Sequence, residues 1–334
     1  MLAREPQLAL VALAARAPSP HNIQPARWRF DGDHVELWED TARWLAVGDP
    51  TGRDNRIALG MAWENMAIAS SAQDLTLELD TTIALDYPPR VGYRRAAFGV
   101  LRRIAARDAL LPAVERRASY RSRFAPVQSD QLARLDSCIA EHASVAVALP
   151  STAAELVSVW QDLATVEGLE ESAFTRELHH WMRFSSRDPR WVRDGLSADC
   201  MALSKFEAWS AAFALRPAVM KILSALSLTR LFVSEAEEVK SAARLAVIHQ
   251  PAGGDAFATG RAWYRFWLAL DLIDIGGVPM SALSDSPAYA HQLLAAYPLP
   301  VGRRLVNVMR LGPKPAGVIA RSARLPADEL LLDR

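Results

Sequence analysis

A short run of arginines and a serine in the middle of the chain could bind a phosphate group. Arg117, Ser119, Arg121 and Arg123 alternate with other residues. The guanidinium groups offer bidentate donors and the serine a neutral donor, a set suited to a phosphate monoester. An arginine run is equally typical of a solvated surface or an ion-pair network, so the residue types alone leave both interpretations open.

A proline-rich segment near the N-terminus collects an imidazole, two amides and a hydroxyl. Residues 17–25 read Ala-Pro-Ser-Pro-His-Asn-Ile-Gln-Pro. Because proline fixes φ and blocks a helix, the segment is predicted to be a rigid loop that carries donors and acceptors. The alternative is a plain helix-to-strand connector, in which Ser19 and Asn22 bond only to backbone groups.

The spacing of apolar residues predicts the elements that hold these two segments. An apolar helix over 5–16 precedes the loop, and an alternating hairpin over 27–38 follows it. Further helices are predicted at 54–72, 129–141, 151–182, 259–275 and 287–296, and strands at 75–79, 97–104, 144–149, 245–250 and 305–311. Gly276-Gly277 is predicted to end the helix at 275 and to open a loop over 277–283.

The composition narrows the class of protein. The 334 residues carry 38 basic and 38 acidic side chains, so no overall positive field indicates a nucleic-acid partner. Only two cysteines occur, Cys138 and Cys200, which argues against a disulfide framework or a zinc site and favours a reducing, cytoplasmic location. No apolar run reaches the length of a membrane span, so no membrane partner is expected.

Motifs of other classes do not occur. The sequence has no G-x-G-x-x-G after a predicted strand, no phosphate-binding G-x-x-x-x-G-K-[ST] and no H-E-x-x-H. His179 and His180 are adjacent and would point to different sides of a helix, so they are not expected to chelate a metal. No metal site is therefore predicted.

The loop resembles the Ala-Pro-Ser-x-x-Asn-x-Gln-Pro-Trp segment of the nitroreductase superfamily, whose members bind FMN. The match departs at one point, because Ala26 stands where the family has tryptophan and Trp28 follows two residues later. The arginine run is similar to the Arg-x-Ser/Thr-x-Arg/Lys motif of the same family. The resemblance implies an α+β fold with mainly antiparallel central sheets flanked by helices.

The resemblance also implies roles for individual residues. Arg117 and Ser119 would hold the phosphate and ribityl chain of FMN, and Arg121 would face the N1–C2=O side of the flavin. Arg324 would reach the phosphate from the C-terminal tail, with Arg321 as the reserve. The residues expected at the flavin ring are Pro18, Ser19 and Asn22 from the loop, and Pro279, Met280 and Ser281 from the predicted loop 277–283, which would offer a backbone N–H to N5.

The order of the two motifs resembles the fused, single-chain branch of the family called Acg-like. In that branch two half-units imitate a dimer and one FMN site remains. The expected halves are 1–112 and 113–334, with a helical insertion at about 185–240 as a lid. The chain would be a monomer or a homodimer that transfers hydride from NADH or NADPH through FMN to a small-molecule acceptor. A non-catalytic FMN store is the alternative.

Overall fold

The N-terminal part of the chain forms one four-stranded antiparallel sheet against a long helix. A computed structural model describes residues 2–82, 92–233, 235–317 and 320–333. The sheet has the order β1-β2-β4-β3. Its elements are α1 (Arg4–Ala14), β1 (Ala26–Asp31), β2 (His34–Asp40), α2 (Arg53–Ser70), β3 (Leu75–Leu79) and β4 (Tyr93–Arg103).

The C-terminal part of the chain forms a second unit, in which a mainly helical stretch follows the first strand. The unit begins with α3 (Leu111–Val114), α4 (Ser129–Glu141) and β5 (Ala146–Ala148). The stretch then contains α5 (Ala153–Glu170), α6 (Ser172–Trp181), β6 (Met182–Arg183), β7 (Leu196–Ser197), α7 (Lys205–Ala214), α8 (Pro217–Ala225) and α9 (Ala236–Lys240). The predicted helix over 151–182 is interrupted at Glu171, whose backbone is extended with ψ 110°.

The remaining strands complete a second four-stranded antiparallel sheet of order β5-β8-β10-β9. Its other elements are β8 (Arg244–Pro251), α10 (Ala256–Leu272), β9 (Ile275–Pro279), α11 (Ser281–Asp285), α12 (Pro287–Ala296), β10 (Arg303–Pro313) and α13 (Ala327–Leu330). The two sheets share one strand order, and in each a long helix joins the same two positions. The expected α+β fold of two half-units is therefore confirmed.

The two long helices cross through a pair of glycines. A Cβ atom on Gly60 of α2 would lie 2.0 Å from the Phe257 carbonyl oxygen, and one on Gly260 of α10 would lie 2.0 Å from the Ile57 carbonyl oxygen. Only glycine permits this approach of backbone to backbone. The contact is reciprocal, since each glycine meets the carbonyl three residues before the other glycine, as expected for two units related by an approximate two-fold axis.

The prediction for residues 276–283 was wrong. The helix ends before Ile273, and Gly276 and Gly277 lie inside strand β9, followed at once by α11. Their lack of a side chain serves close packing rather than a turn, because a Cβ on Gly277 would lie 2.9 Å from Cε of Met309. In the tail predicted as proline-rich and basic, residues 318–319 lie outside the described part of the chain.

Candidate functional site

The loop after α1 is held in an unusual backbone conformation. His21, Asn22 and Gln24 have φ of 46°, 55° and 52°, a region that side chains other than glycine seldom occupy. The Ser19 hydroxyl accepts a bond from the Gln24 N–H at 2.9 Å, which closes the turn. The connector interpretation thus describes part of what Ser19 does, while Pro18, Ser19 and Asn22 also line a cleft.

Asn22 connects this loop to two distant parts of the chain. Its amide donates to the Ala323 carbonyl at 2.9 Å and to the Gly195 carbonyl at 3.1 Å. Its Oδ1 accepts a bond from Arg324 Nη1 at 2.9 Å. Gln24 acts similarly, because it donates to the Arg193 carbonyl at 2.9 Å. The loop is therefore a junction between the N-terminal unit, the helical stretch and the tail.

The tryptophan that departs from the family motif lies in the core. Trp28 is 1% exposed and stacks on Trp63, with ring centroids 6.2 Å apart. It is not a lining residue of the cleft. The shift of two residues has moved this indole from the loop into the sheet, where strand alternation directs it inward.

The arginine run crosses beside strand β9. The Tyr120 N–H donates to the Gly277 carbonyl at 3.2 Å, and Ser119 forms a parallel bridge to Gly277. Arg117, Ser119 and Arg121 line the cleft, and so does Ala118 between them. Arg123 does not line it; this side chain is exposed and lies near Glu238, as the surface interpretation expects.

Arginines dominate the lining of this cleft, which holds about 540 Å³ of empty space including its mouth. They come from three segments of the chain, and the lining contains a single acidic residue, Glu115. None of these arginines forms an ion pair in the described part of the chain. The arginines are Arg16, Arg117, Arg121, Arg321 and Arg324.

Arg117 is the most deeply placed of these cations. Its guanidinium lies 4.6 Å from the Trp267 ring centroid and donates through Nη2 to the Arg16 carbonyl at 3.0 Å. Its Nε and Nη1 are buried without a well-formed hydrogen bond, and the Tyr264 hydroxyl interacts with the guanidinium. Burial lowers the pKa of this guanidinium and raises the pKa of the adjacent Tyr264 hydroxyl to about 12. Buried donors of this kind are costly unless an anion accepts their bonds.

Arg121, Arg321 and Arg324 are held by backbone carbonyls. Arg324 donates to the carbonyls of Ala15 and Arg16. Burial, together with nearby Arg117 and Arg16, lowers the pKa of Arg324 to about 9. Arg121 donates to the Cys200 carbonyl at 3.0 Å, and burial lowers its pKa as well. Carbonyl bonds fix the positions of these cations without cancelling their charge.

Three residues predicted for the flavin ring lie elsewhere. Pro279, Met280 and Ser281 are not among the lining residues. The Met280 N–H donates to the Val308 carbonyl at 2.7 Å, and its side chain is 2% exposed in the core around Leu283. The Ser281 hydroxyl accepts a bond from Asn307. Their contact with a cofactor stays a prediction, and Gly277 is the part of β9 that reaches the arginine run.

Several lining residues were missed from the sequence. Arg16 precedes the loop directly, and its position beside a candidate motif was a usable signal. Leu196 and the contact from Cys200 come from the helical stretch, where residue types give no sign of proximity to the cleft. Ser322 lines the cleft beside Arg321 and Arg324, whose tail location was predicted.

A second, wider cleft has a different character. It holds about 930 Å³ and also contains arginines, including Arg53 and Arg94. These are paired, since Arg53 lies 2.8 Å from Asp54 and Arg94 lies 2.5 Å from Glu39. The first cleft is therefore the better candidate for an anionic ligand.

Comparisons with known proteins give short sequence matches and one likeness of overall fold. No family model matches the chain. Two Mycobacterium tuberculosis proteins match a short part of it: "Putative NAD(P)H nitroreductase acg", 36% identical over 70 residues, and "Putative NAD(P)H nitroreductase Rv3131", 38% identical over 60 residues. The first match is 21% of each chain, and the second is 18% of this chain and 17% of the relative. The matched segments thus span about a fifth of the relatives' length.

A solved structure resembles nearly the whole chain. It is described as a putative nitroreductase from Anabaena variabilis, at a TM-score of 0.50 and 9% identity, covering 92% of this chain and 88% of that one. At this identity the likeness shows the fold. Membership of the nitroreductase superfamily stays a prediction, because the matches to the two relatives span only about a fifth of their length. Assignment to the fused Acg-like branch stays a prediction.

Proposed function

We propose that the chain is an FMN-dependent oxidoreductase of the nitroreductase type. The observation that carries the proposal is the cleft lined by five arginines and one acidic residue. A phosphate monoester supplies oxygen acceptors for the Arg117 donors that lack a well-formed hydrogen bond. The names of the two matched relatives and the resemblance of the loop and the arginine run to FMN-binding motifs support the same class.

In this proposal the residues of the cleft divide into two groups. Arg117, Ser119 and Arg324 hold the phosphate and ribityl chain, and Arg121 lies near the N1–C2=O edge. The ring residues would be Pro18, Ser19 and Asn22 on one side and Pro279, Met280 and Ser281 on the other. When bound, FMN supplies hydride transfer at N5, from NADH or NADPH to an electron-poor acceptor such as a nitro compound, quinone or enone, or from a small metabolite that is oxidised.

The electrostatics of the chain fit an anionic cofactor. The cations of the cleft are partly desolvated and repel one another, which is why the pKa of Arg324 falls to about 9. A phosphate would reverse both effects. The guanidinium of Arg121, held by the Cys200 carbonyl, would stabilise negative charge that develops at the N1–C2=O edge.

Titration of the purified protein with FMN tests the binding step. We expect quenching of flavin fluorescence and saturation at one FMN per chain. Arg117→Ala should weaken binding by roughly tenfold to hundredfold, because it removes charge-assisted bonds to phosphate. Arg123→Ala is the matched control: it lies in the same run but outside the cleft, and should leave affinity unchanged. Equal affinities for the two variants would contradict the assignment of the phosphate site.

The domain boundaries are proposed with the function. Residues 1–112 and 113–334 form the two halves, and the helical insertion at about 185–240 acts as a lid. Three contacts connect this region to the cleft: Asn22 with Gly195, Gln24 with Arg193, and Arg121 with Cys200. The whole stretch without a counterpart in the N-terminal unit runs from β5 to β8, and so begins before residue 185.

The same contacts favour a second candidate, an FMN store closed by that lid. An anaerobic mixture of the FMN-loaded protein with NADPH, and separately with NADH, distinguishes the two. Loss of the visible flavin absorbance supports the enzyme. Persistent oxidised absorbance with either nicotinamide, while free FMN and a reductant such as dithionite still react, supports storage.

A further inference from the structure

Helix α7 carries an exposed row of aromatic side chains, which we call the aromatic stripe: Phe206, Trp209 and Phe213. Phe206 is 73% exposed, Trp209 67% and Phe213 50%. Their spacing of three and four residues puts them on one face of the helix. The ring centroids of Trp209 and Phe213 are 6.5 Å apart with planes 13° from parallel, so the stripe is one continuous surface.

Apolar exposure continues beyond the stripe. Ile222 and Leu226 are exposed at a spacing of four residues along α8 and its end, and Leu231 follows at 76% exposure. The opposite sides of these helices are anchored, because Ala208, Ala214 and Met220 are buried. Soluble surfaces seldom carry so many large apolar side chains in a single short segment, and such patches usually mark an interaction site.

The charged side chains of segment 203–233 are mostly basic. Lys205, Arg216, Lys221 and Arg230 are all exposed, and none has an ion pair among the described residues. The single acidic residue between 203 and 233 is Glu207, and its carboxylate is engaged with the Ser204 N–H at 2.8 Å. Elsewhere on the surface, arginines such as Arg134 and Arg244 lie against carboxylates.

Exposed aromatic residues interleaved with lysine and arginine are the composition of a helix that lies in a membrane interface. The aromatic and aliphatic side chains enter the acyl boundary, and the cations contact anionic headgroups. With ten and nine residues, α7 and α8 are too short to cross a bilayer. In the described part of the chain, no helix has the length and apolar character for that.

We propose that residues 205–231 dock the protein onto the surface of an anionic lipid bilayer. The sequence predicted no membrane partner, because that prediction considered spanning segments; a peripheral surface requires only the side-chain pattern that the folded helices expose. The proposal does not depend on FMN. It requires that the stripe and the unpaired cations act on the same ligand.

Co-sedimentation with vesicles tests this proposal. We expect the full chain to pellet with phosphatidylcholine vesicles that contain about a third phosphatidylglycerol, and to stay in solution with pure phosphatidylcholine, because the cations need an anionic surface. Added salt should release it through screening. Equal partitioning into both kinds of vesicle, or no partitioning into either, would overturn the proposal.

Variants distinguish the contribution of the apolar side chains to vesicle partitioning from that of the cations. Trp209→Ser with Phe213→Ser should lower partitioning by about tenfold or more, and Lys205→Ser with Lys221→Ser by about fivefold for each cation removed. Val192→Ser and Arg187→Ser are matched controls, since both residues are exposed outside the segment. Circular dichroism spectra establish that each variant is folded.

A second copy of the chain is the competing occupant of this surface. Sedimentation velocity of wild type and of the Trp209→Ser, Phe213→Ser variant, both without lipid, distinguishes it. A wild-type dimer that the variant loses, with no difference in vesicle partitioning, would assign the surface to self-association and refute membrane docking. A wild-type mass unchanged by the variant, with loss of partitioning, supports the proposal.

Discussion

The two units of this protein have one topology and different surroundings. Both contain a four-stranded antiparallel sheet with the same strand order and a long helix joining equivalent strands. In the N-terminal unit, β1 and β2 are joined by the tight turn at Gly32. In the C-terminal unit, residues 149–243 stand between β5 and β8. The shared framework therefore tolerates a two-residue turn and a long insertion at the same position.

The units also differ after their first helices. Eleven residues separate α1 from β1, including the loop that lines the cleft, whereas four residues separate α4 from β5. Near the helix crossing, Arg265 pairs with both Glu64 and Asp108 at 2.9 Å. Arg117 packs against Trp267, on the side of α10 opposite to Arg265, and has no carboxylate partner. The arginine-lined cleft thus results from loop length and uncompensated charge, which the common topology does not supply.

The glycine crossing tests the two-fold relation most severely. Gly60→Ala and Gly260→Ala each place a methyl group against a backbone carbonyl, so we expect each to lower the free energy of unfolding by about 3 kcal/mol or more. Gly253→Ala is the control, because no atom lies within 4 Å of its Cβ position. Urea unfolding provides the measurement. A difference above about 1 kcal/mol between the two crossing variants would break the proposed equivalence.

His21, in the loop after α1, should make the stability of the protein sensitive to acid. Burial, with a smaller contribution from Arg121, lowers the pKa of His21 to about 4 from an ordinary value of 6.5. Between these values the unfolded chain binds more protons, so this contribution to stability is present above pH 6.5 and is lost as pH falls towards 4.

His21→Asn tests this effect, since asparagine tolerates the positive φ. Relative to wild type, the variant should lose about 2 kcal/mol less stability between pH 7 and pH 4. Urea unfolding at both values gives the difference, in which other titrating groups cancel. If His21→Asn keeps the wild-type pH dependence, the loop imidazole is not the titrating group.

The ion pairs of Glu64 with its two arginines should contribute to stability and not to ligand binding in the cleft. Glu64→Gln removes the buried partner of Arg261 at 2.7 Å and of Arg265 at 2.9 Å. Because both arginines are partly exposed, we expect a loss of about 1 kcal/mol in unfolding free energy. FMN affinity should not change. A large fall in affinity would show that the two sides of α10 are coupled.

The sequence predicted elements whose signals are local. Strand 75–79 and helices 129–141 and 287–296 were predicted with the bounds that the structure has, because apolar spacing and turn residues define them. Strand β9 was missed because its glycines are required by neighbours distant in sequence, including Met309. Glycine pairs near a helix end usually indicate a cap, and the sequence alone carries no contrary signal.

The residues of the candidate site also divide into those that local sequence signals predicted and those that they did not. The loop residues Ser19 and Asn22 were predicted from motifs, as were Arg117, Ser119 and Arg121. The structure brings them together with Arg324 around one cleft. Leu196 and Cys200 could not be predicted, since their proximity depends on how residues 149–243 fold back over the N-terminal loop. Long-range contacts of this kind follow from packing, which periodicity does not encode.

The glycine crossing has a consequence for how this protein can vary. In a symmetric homodimer one codon sets both sides of an interface, so any substitution there occurs twice. Here Gly60 and Gly260 are separate codons of one gene, and a change on α2 leaves its counterpart on α10 intact. Mutations can therefore be sampled on one side of the crossing at a time, and the two helices can change independently of each other.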